Sequence, residues 1–168
     1  MVYSWRKLNW SDAVAITQWR YEAPYSVYDM ICNPAELVNE EYYSCVDGEG
    51  DIVGFGCFGF EAQVHGGILI GAYADTSIVD IGLGFRPDLT GKGQGMSFLQ
   101  SLLEFAEHKF HPKGFRLTVA SWNTRAICLY GKGGFSPVRT FASMTLVGET
   151  QFILMERGPL CPRQGSLT

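Results

Sequence analysis

The segment LTGKGQGM, residues 89–96, places three glycines at alternate positions immediately before an apolar helical pattern. Glycine permits positive φ angles and close approach of the backbone to a ligand. The unpaired N–H groups and partial positive charge of a helix N-terminus attract phosphate. A strand ending at Phe85, this loop and the helix after it therefore form one unit, which is either a softened turn or a phosphate cradle.

Two familiar phosphate loops are excluded by their spacing. Lys92 is followed by Gly93, whereas a nucleotide-hydrolase loop requires Ser or Thr after its lysine. The dinucleotide fingerprint would need its third glycine at position 96, which is Met96. The glycines alone do not decide between a turn and a cradle.

Apolar spacing predicts strands and helices in alternation along the chain. Helical spacing occurs in four segments: one capped by Asn9 or Ser11, one beginning at Pro34, one from Gly93 to about Phe110, and TRAICLYGK before Gly133. Strands are expected on both sides of the turn at 47–50, before Arg86, over Phe115–Asn123, and in a hairpin turning near Gly148. This order predicts an α/β (α+β) fold with a mixed sheet.

Composition argues against several classes of function. The formal net charge of −4 argues against a nucleic-acid partner, which usually requires a basic surface. No run of about 20 apolar residues is present to span a membrane, and the N-terminus lacks the apolar core of a signal peptide. A cytoplasmic protein with no membrane partner is expected. The five cysteines show no metal-ligand spacing, so free thiols and no metal are expected.

Two motifs in this order resemble those of the GNAT superfamily of acetyl-CoA-dependent N-acetyltransferases. The family loop Gln/Arg-x-x-Gly-x-Gly/Ala is matched at Gly93 and Gly95 but departs at Thr90. The later family motif Asn-x-x-Ala-x-x-x-Tyr-x-x-x-Gly-Phe is matched about thirty residues further on by Asn123, Ala126, Tyr130, Gly134 and Phe135. The resemblance covers roughly residues 79–135.

The resemblance implies one N-acetyltransferase domain over residues 1–168, with a mostly antiparallel central sheet flanked by helices and a splayed, bulged strand. Gly82 and Gly84 agree with a bulge, although they could instead relieve crowding in a central strand. Acetyl-CoA is the implied cosubstrate, with its pyrophosphate on the loop and its pantetheine beside the strand. The implied cofactor-binding residues are Leu83, Gly84, Phe85, Thr90, Gly91, Lys92, Gly93, Gln94, Gly95, Met96, Asn123, Ala126 and Tyr130.

Tyr130 holds the position of the family's general acid. A phenol with an ordinary pKa of about 10 is protonated at neutral pH and can donate to a thiolate. Asp80 is expected to be the base that accepts the ammonium proton, with Glu61 and His65 as alternatives. Aromatic and acidic residues could clamp a cationic amine or simply pack in the core. The candidate acceptor-binding residues are Tyr21, Glu22, Tyr25 and Glu61.

The resemblance thus favours transfer of an acetyl group to a primary amine of a small molecule or peptide. Two alternatives stay open: a catalytically silent acyl-CoA-binding sensor on the same scaffold, and an interaction module whose glycine loop is only a turn. Tyr130 and a nearby carboxylate argue against the sensor. The C-terminal hairpin could supply the surface of a homodimer.

Overall fold

The computed structural model describes residues 1–160. Seven strands form one sheet: β1 (Ser4–Lys7), β2 (Tyr42–Val46), β3 (Ile52–Phe58), β4 (Ile78–Phe85), β5 (Gly114–Ala120), β6 (Ser136–Thr145) and β7 (Gly148–Arg157). Their spatial order is β1-β2-β3-β4-β5-β7-β6. Within residues 1–160, only β4 and β5 pair in parallel, and the other five pairings are antiparallel. The predicted mixed, mostly antiparallel sheet is confirmed.

The helices are α1 (Trp10–Thr17), α2 (His65–Leu69), α3 (Gly95–Phe110) and α4 (Thr124–Lys132). Single 3₁₀ turns cover Tyr25–Tyr28, Pro34–Leu37, Gly59–Ala62 and Pro87–Leu89. Asn9 caps α1, because its side chain accepts a hydrogen bond from the Asp12 N–H. β1 and α2 had no counterpart in the sequence-based prediction.

The helices cover both faces of the sheet. On one face α3 buries an apolar stripe against Ile81 and the inner residues of β5, and its Phe98 packs with Cys45 and Val53. The stripe consists of Leu99, Leu102, Leu103 and Ala106, which are fully buried. On the other face, α1 packs in a cluster that includes Phe55, and α2 packs against β6.

β4 and β5 separate after three pairs of residues. Their parallel register runs from Ile78–Gly114 to Asp80–Arg116. Beyond this point β4 pairs only with β3, and β5 pairs only with β7. A V-shaped gap therefore opens toward the carboxyl ends of the two strands, and the splay implied by the resemblance is confirmed.

The glycines of β4 do not produce a bulge against β3. Five consecutive pairs, from Gly54–Phe85 to Phe58–Ile81, keep one register. A Cβ at Gly84 would lie 2.2 Å from the Phe55 ring, and one at Gly82 would lie 2.7 Å from the Cys57 sulfur. The expected bulge is therefore not found in this pairing, and the glycines make room for cross-strand side chains.

Two expectations from composition concern membranes and thiols. Over residues 1–160, the structure contains no helix with both the length and the apolar character that a membrane span needs. Cys32, Cys45, Cys57 and Cys128 are free thiols, as expected, and Cys161 lies outside the described residues.

Candidate active site

The edge of β4 that faces the gap carries backbone groups that the sheet leaves unpaired. The Arg86 N–H donates to the Val53 carbonyl of β3 at 2.8 Å. Backbone groups of successive residues in a strand point to opposite edges. The N–H and C=O groups of Leu83 and Phe85 therefore point away from β3 and into the gap. An extended ligand can bind this edge as an additional strand would.

The loop between β4 and α3 leaves the N-terminus of α3 open. Gly91 and Gly93 have φ angles of 72° and 78°, which L side chains rarely adopt. No atom lies within 4 Å of a Cβ built on either glycine, so the requirement for glycine is conformational. Gln94 makes no side-chain capping bond. The first N–H groups of α3 therefore lack a side-chain acceptor and can bind an anion.

The side chains of Thr90 and Lys92 in this loop differ in whether they bond within the protein. The Thr90 hydroxyl donates to the Pro87 carbonyl at 2.8 Å, so its proton is used within the loop. Lys92 is exposed and supplies a positive charge beside the helix N-terminus. The geometry therefore gives Thr90 a structural part and leaves Lys92 available for a phosphate.

Tyr130 and Asn123 lie on the same side of α4, since seven residues make about two helical turns. The Tyr130 ring packs edge-on against Phe135, with 6.2 Å between the ring centres. Burial raises the pKa of Tyr130, and the neighbouring Tyr28 raises it further. A raised pKa keeps the phenol protonated at neutral pH, as a general acid requires.

Asn123 joins α4 to the segment between α1 and β2. Its Oδ1 accepts a hydrogen bond from the Ala126 N–H at 3.1 Å, and its Nδ2 donates to the Tyr28 hydroxyl at 3.0 Å. The residue is buried. Asn123 therefore fixes both the start of the helix that carries Tyr130 and the position of Tyr28.

Asp80 lies in a buried ion pair at the apex of the V. Arg116 Nε is 2.5 Å from Oδ1, and Arg116 Nη2 is 3.1 Å from Oδ2. Gln63 Nε2 also donates to Oδ2, at 2.8 Å. Only 4% of Asp80 and 2% of Arg116 is exposed. Because both carboxylate oxygens are engaged, this geometry argues against the predicted role of Asp80 as the general base.

Glu61 lies on the 3₁₀ turn Gly59–Ala62, which packs against β4. A Cβ at Gly82 would lie 3.6 Å from the Ala62 Cβ, in ordinary van der Waals contact, so this turn lies directly against the strand. Glu61 is exposed, and its Oε1 accepts a hydrogen bond from Asn39 Nδ2 at 3.3 Å. Among the candidate bases, Glu61 combines exposure with a position beside β4, whereas His65 is exposed at the start of α2.

Residues 20–32, here called the strap, connect the two arms of the V. The Tyr21 hydroxyl donates to the Phe85 carbonyl of β4 at 2.9 Å. Tyr28 receives its hydrogen bond from Asn123, which follows β5. The Asp29 carboxylate accepts a hydrogen bond from the Tyr21 N–H at 2.9 Å and so holds the strap in a closed turn.

Aromatic contacts strengthen the strap at the β5 end. The rings of Tyr25 and Tyr28 each lie 5.8 Å from Trp122, and the Arg125 guanidinium carbon lies 4.1 Å from the Tyr25 ring centre. Trp122 was not among the predicted site residues. The one signal that pointed to Trp122 is its position immediately before the Asn123 cap.

The predicted acceptor-binding residues do not form one cluster. Tyr21 contacts β4, and Tyr25 contacts the β5 end of the strap. Glu22 is exposed on the strap, and Glu61 lies on a separate turn. Tyr21 and Tyr25 thus pack and bond within the protein, while the two glutamates remain exposed to solvent.

Comparison with known proteins agrees with this geometry. Similar solved structures include a chimeric spermidine N-acetyltransferase SpeG from Vibrio cholerae and hSSAT, with a TM-score of 0.73, 17% identity, and coverage of 93% of this chain and 95% of that chain. A second is AAC(6')-Ib in complex with ribostamycin and coenzyme A, with a TM-score of 0.69, 17% identity and coverage of 94% of each chain. A third is a GNAT-family acetyltransferase from Bacillus anthracis, with a TM-score of 0.68, 16% identity, and coverage of 94% of this chain and 95% of that chain.

At these identities the structural matches establish the fold. No curated protein is significantly similar to this chain in sequence. The model of the acetyltransferase (GNAT) family matches residues 2–135, a range that contains the gap, the glycine loop and Tyr130. The chain therefore belongs to the GNAT family of acetyltransferases.

Proposed function

We propose that this protein transfers the acetyl group of acetyl-CoA directly to a primary amine of a small molecule or peptide. The observation that carries the proposal is the open N-terminus of α3 at the end of an unpaired β4 edge. The pyrophosphate binds the N–H groups of residues 91–96. The pantetheine amides bind the N–H and C=O of Leu83 and the N–H of Phe85, whose carbonyl already accepts the Tyr21 hydroxyl. The AAC(6')-Ib structure, which has the same fold, was solved with coenzyme A, and this supports the assignment of the donor.

In the proposed reaction, the thioester lies at the apex of the V, where β4 leaves β5. The neutral amine forms a C–N bond, and the carbonyl electron pair moves to oxygen, where a β4 N–H stabilises it. Collapse of this intermediate breaks the C–S bond. Tyr130 donates its proton to the leaving thiolate, and the ammonium proton passes to Glu61 directly or through water.

Glu61 as the base gives a prediction that depends on pH. Replacing Glu61 by Gln should lower kcat/KM roughly 100-fold at a pH where the attacking amine must lose a proton. The loss should shrink as the pH rises, because a larger fraction of the acceptor is already neutral. Steady-state thiol release between pH 6 and 10 measures it. His65→Gln is the control and should keep the wild-type kcat/KM. A loss of kcat/KM in His65→Gln, with none in Glu61→Gln, would assign the base to His65.

The function itself is tested by thiol release from acetyl-CoA against a panel of amines and peptides, corrected for hydrolysis. Saturable release with any acceptor supports the enzyme. Binding of coenzyme A without turnover on the whole panel would favour the silent sensor. Absence of coenzyme A binding in calorimetry would show that the glycine loop is only a turn.

The cradle gives a second prediction. Replacing Gly93 by Ala should raise the Kd for acetyl-CoA about tenfold or more, because a hydrogen bond to a charged group contributes about 1.5–3 kcal/mol. An Ala side chain disfavours the left-handed φ at this position. The loop should therefore shift, and its N–H groups should move away from the phosphate. Calorimetry with acetyl-CoA measures the change.

The matched control is Gly148→Ala in the turn between β6 and β7. Gly148 has a φ of 105°, and no atom lies within 4 Å of a Cβ at this position. Both variants therefore carry backbone strain, but only the Gly93 variant should lose affinity. Equal affinities in the two variants would remove the loop from donor binding.

A further inference from the structure

Thr118 is the one residue of β5 that is not buried. Leu117 and Val119 on either side of it belong to the core cluster under α3, so the Thr118 side chain lies on the opposite face of the sheet. The Ser121 N–H donates to the Gln151 carbonyl of β7 at 2.9 Å, and the alternation of backbone groups turns those of Thr118 away from β7. Thr118 therefore borders the gap, two residues beyond the last pair that β5 forms with β4.

Tyr73 holds the Thr118 hydroxyl in a fixed direction. The two hydroxyl oxygens lie 2.6 Å apart, and the Tyr73 oxygen also accepts the Val64 N–H at 3.1 Å. Because a phenol is more acidic than an alcohol and its oxygen already accepts one bond, Tyr73 is the donor to Thr118. Within residues 1–160 no other protein group bonds to Thr118 Oγ1. This oxygen therefore keeps one lone pair for a ligand.

The turn Gly59–Ala62, which carries the proposed base, lies on the same face of the sheet as Thr118. Arg116 shares that face of β5, and its partner Asp80 shares that face of β4 with Gly82. The turn packs on β4 at Gly82. In the proposed function, the thioester at the apex is thus flanked on this face by the base on one arm of the V and by Thr118 on the other.

An attacking amine needs a partner that leaves its lone pair free. A neutral primary amine has two N–H groups and one lone pair, and the lone pair must reach the thioester carbon. A carboxylate partner favours the charged ammonium form, so it suits the role of base and not that of anchor. A hydroxyl accepts an N–H without carrying a net charge, and it therefore binds the neutral form that reacts.

We infer that Thr118 anchors the attacking amine and that Tyr73 is its positioning residue, an inference that rests on the proposed function. Thr118 Oγ1 accepts one N–H of the amine, and the lone pair of the amine points at the thioester carbon. Tyr73 occupies the other lone pair of Oγ1 and so fixes where the amine binds. Glu61 takes the proton of the amine once the C–N bond has formed.

The test removes the hydroxyl at nearly constant volume. Thr118→Val should lower kcat/KM for the acceptor roughly tenfold, the loss expected for one hydrogen bond, and should leave the Kd for acetyl-CoA within about twofold of the wild-type value. Thr118→Ser keeps the hydroxyl and should restore most of the activity. The matched control is Thr140→Val, at an exposed threonine of β6, which should have no effect.

Steady-state thiol release with ethylamine, ethylenediamine and an alanine peptide with a free N-terminus gives kcat/KM, and calorimetry gives the Kd. The pH dependence separates an anchor from a base. The loss in Thr118→Val should stay constant as the pH rises, because the anchor binds the neutral amine, whereas the loss in Glu61→Gln should shrink. Tyr73→Phe should cause a smaller loss, which should vanish in the Thr118→Val background, since Tyr73 acts through that hydroxyl.

The possible outcomes separate the anchor from the function. Wild-type kcat/KM in Thr118→Val, with an amine that the wild type acetylates, would reject the anchor and keep the function. A loss in Thr118→Ser as large as that in Thr118→Val would show that the residue acts through packing. A loss in Thr118→Val that shrinks with rising pH would assign the residue to deprotonation. Absence of thiol release from the wild type with all three amines would remove the function and the anchor together.

Discussion

Replacing Tyr130 by Phe is expected to lower kcat by roughly 10²- to 10⁴-fold, while the Kd for acetyl-CoA stays within about twofold. The variant keeps the ring, whose centre lies 6.2 Å from that of Phe135, and loses only the proton donor. The thiolate must then leave unprotonated or take a proton from water. Steady-state thiol release gives kcat, and calorimetry gives the Kd.

The pH profile provides a second measurement on the same residue. Burial raises the pKa of Tyr130 above its ordinary value of about 10, so its protonated form persists across the neutral and mildly alkaline range. The wild-type rate should therefore rise with pH as the acceptor amine loses its proton, and ionisation of Tyr130 should cause no fall below about pH 10. Kinetics of Tyr130→Phe that match the wild type at every pH would exclude it as the acid.

Replacing Arg116 by Met should lower the free energy of unfolding by about 3–5 kcal/mol, because it leaves a buried carboxylate without its cation. Arg116 binds both oxygens of Asp80 and also lies 3.9 Å from Glu156 on β7. It therefore joins three adjacent strands at the apex of the V. For a chain of this length the midpoint of thermal unfolding should fall by about 6–20 °C.

The double variant Arg116→Met with Asp80→Asn is the control. It removes both charges, and the Asn can still accept the hydrogen bond from Gln63. Most of the lost stability should return, and a double-mutant cycle would measure the coupling between the two residues. If Arg116→Met alone had the same free energy of unfolding as the wild type, the ion pair would contribute little to stability.

The part of the site that the sequence predicts is the part made by neighbours in the chain. The glycine loop and the N-terminus of α3 are contiguous, so their spacing alone carries the information. Asp80 is different, because its partner Arg116 is 36 residues away and meets it only through the parallel register of β4 and β5. Without that register, the sequence does not show that this carboxylate, expected near the thioester, is paired with a cation.

The long-range contacts of the strap could not be predicted for the same reason. Tyr21 meets Phe85 across 64 residues, and Tyr28 meets Asn123 across 95. Tyrosines in such a segment pack in the core more often than they bind ligands, and only the fold shows that these two hydroxyls reach opposite arms of the V.

Local propensity was overridden at α2. Its segment HGGIL is rich in glycine, which disfavours a helix. The structure explains the glycines by close packing, since a Cβ at Gly66 would lie 2.2 Å from the Ala142 carbonyl of β6. β1 was missed because a four-residue strand with mostly exposed side chains has too little alternation to be recognised.

The positive φ angles of the loop have a consequence for how its sequence can vary. A phosphate site built from main-chain N–H groups, as proposed for this loop, would place little constraint on the neighbouring side chains, which agrees with the departure of Thr90 from the Gln/Arg of the family motif that the sequence resembles. The constraint on Gly91 and Gly93 is the sign of their φ angles. Both positions adopt the backbone geometry of a D-amino acid. Under the proposed function, recognition of phosphate by this loop would therefore depend on chirality more than on side-chain chemistry.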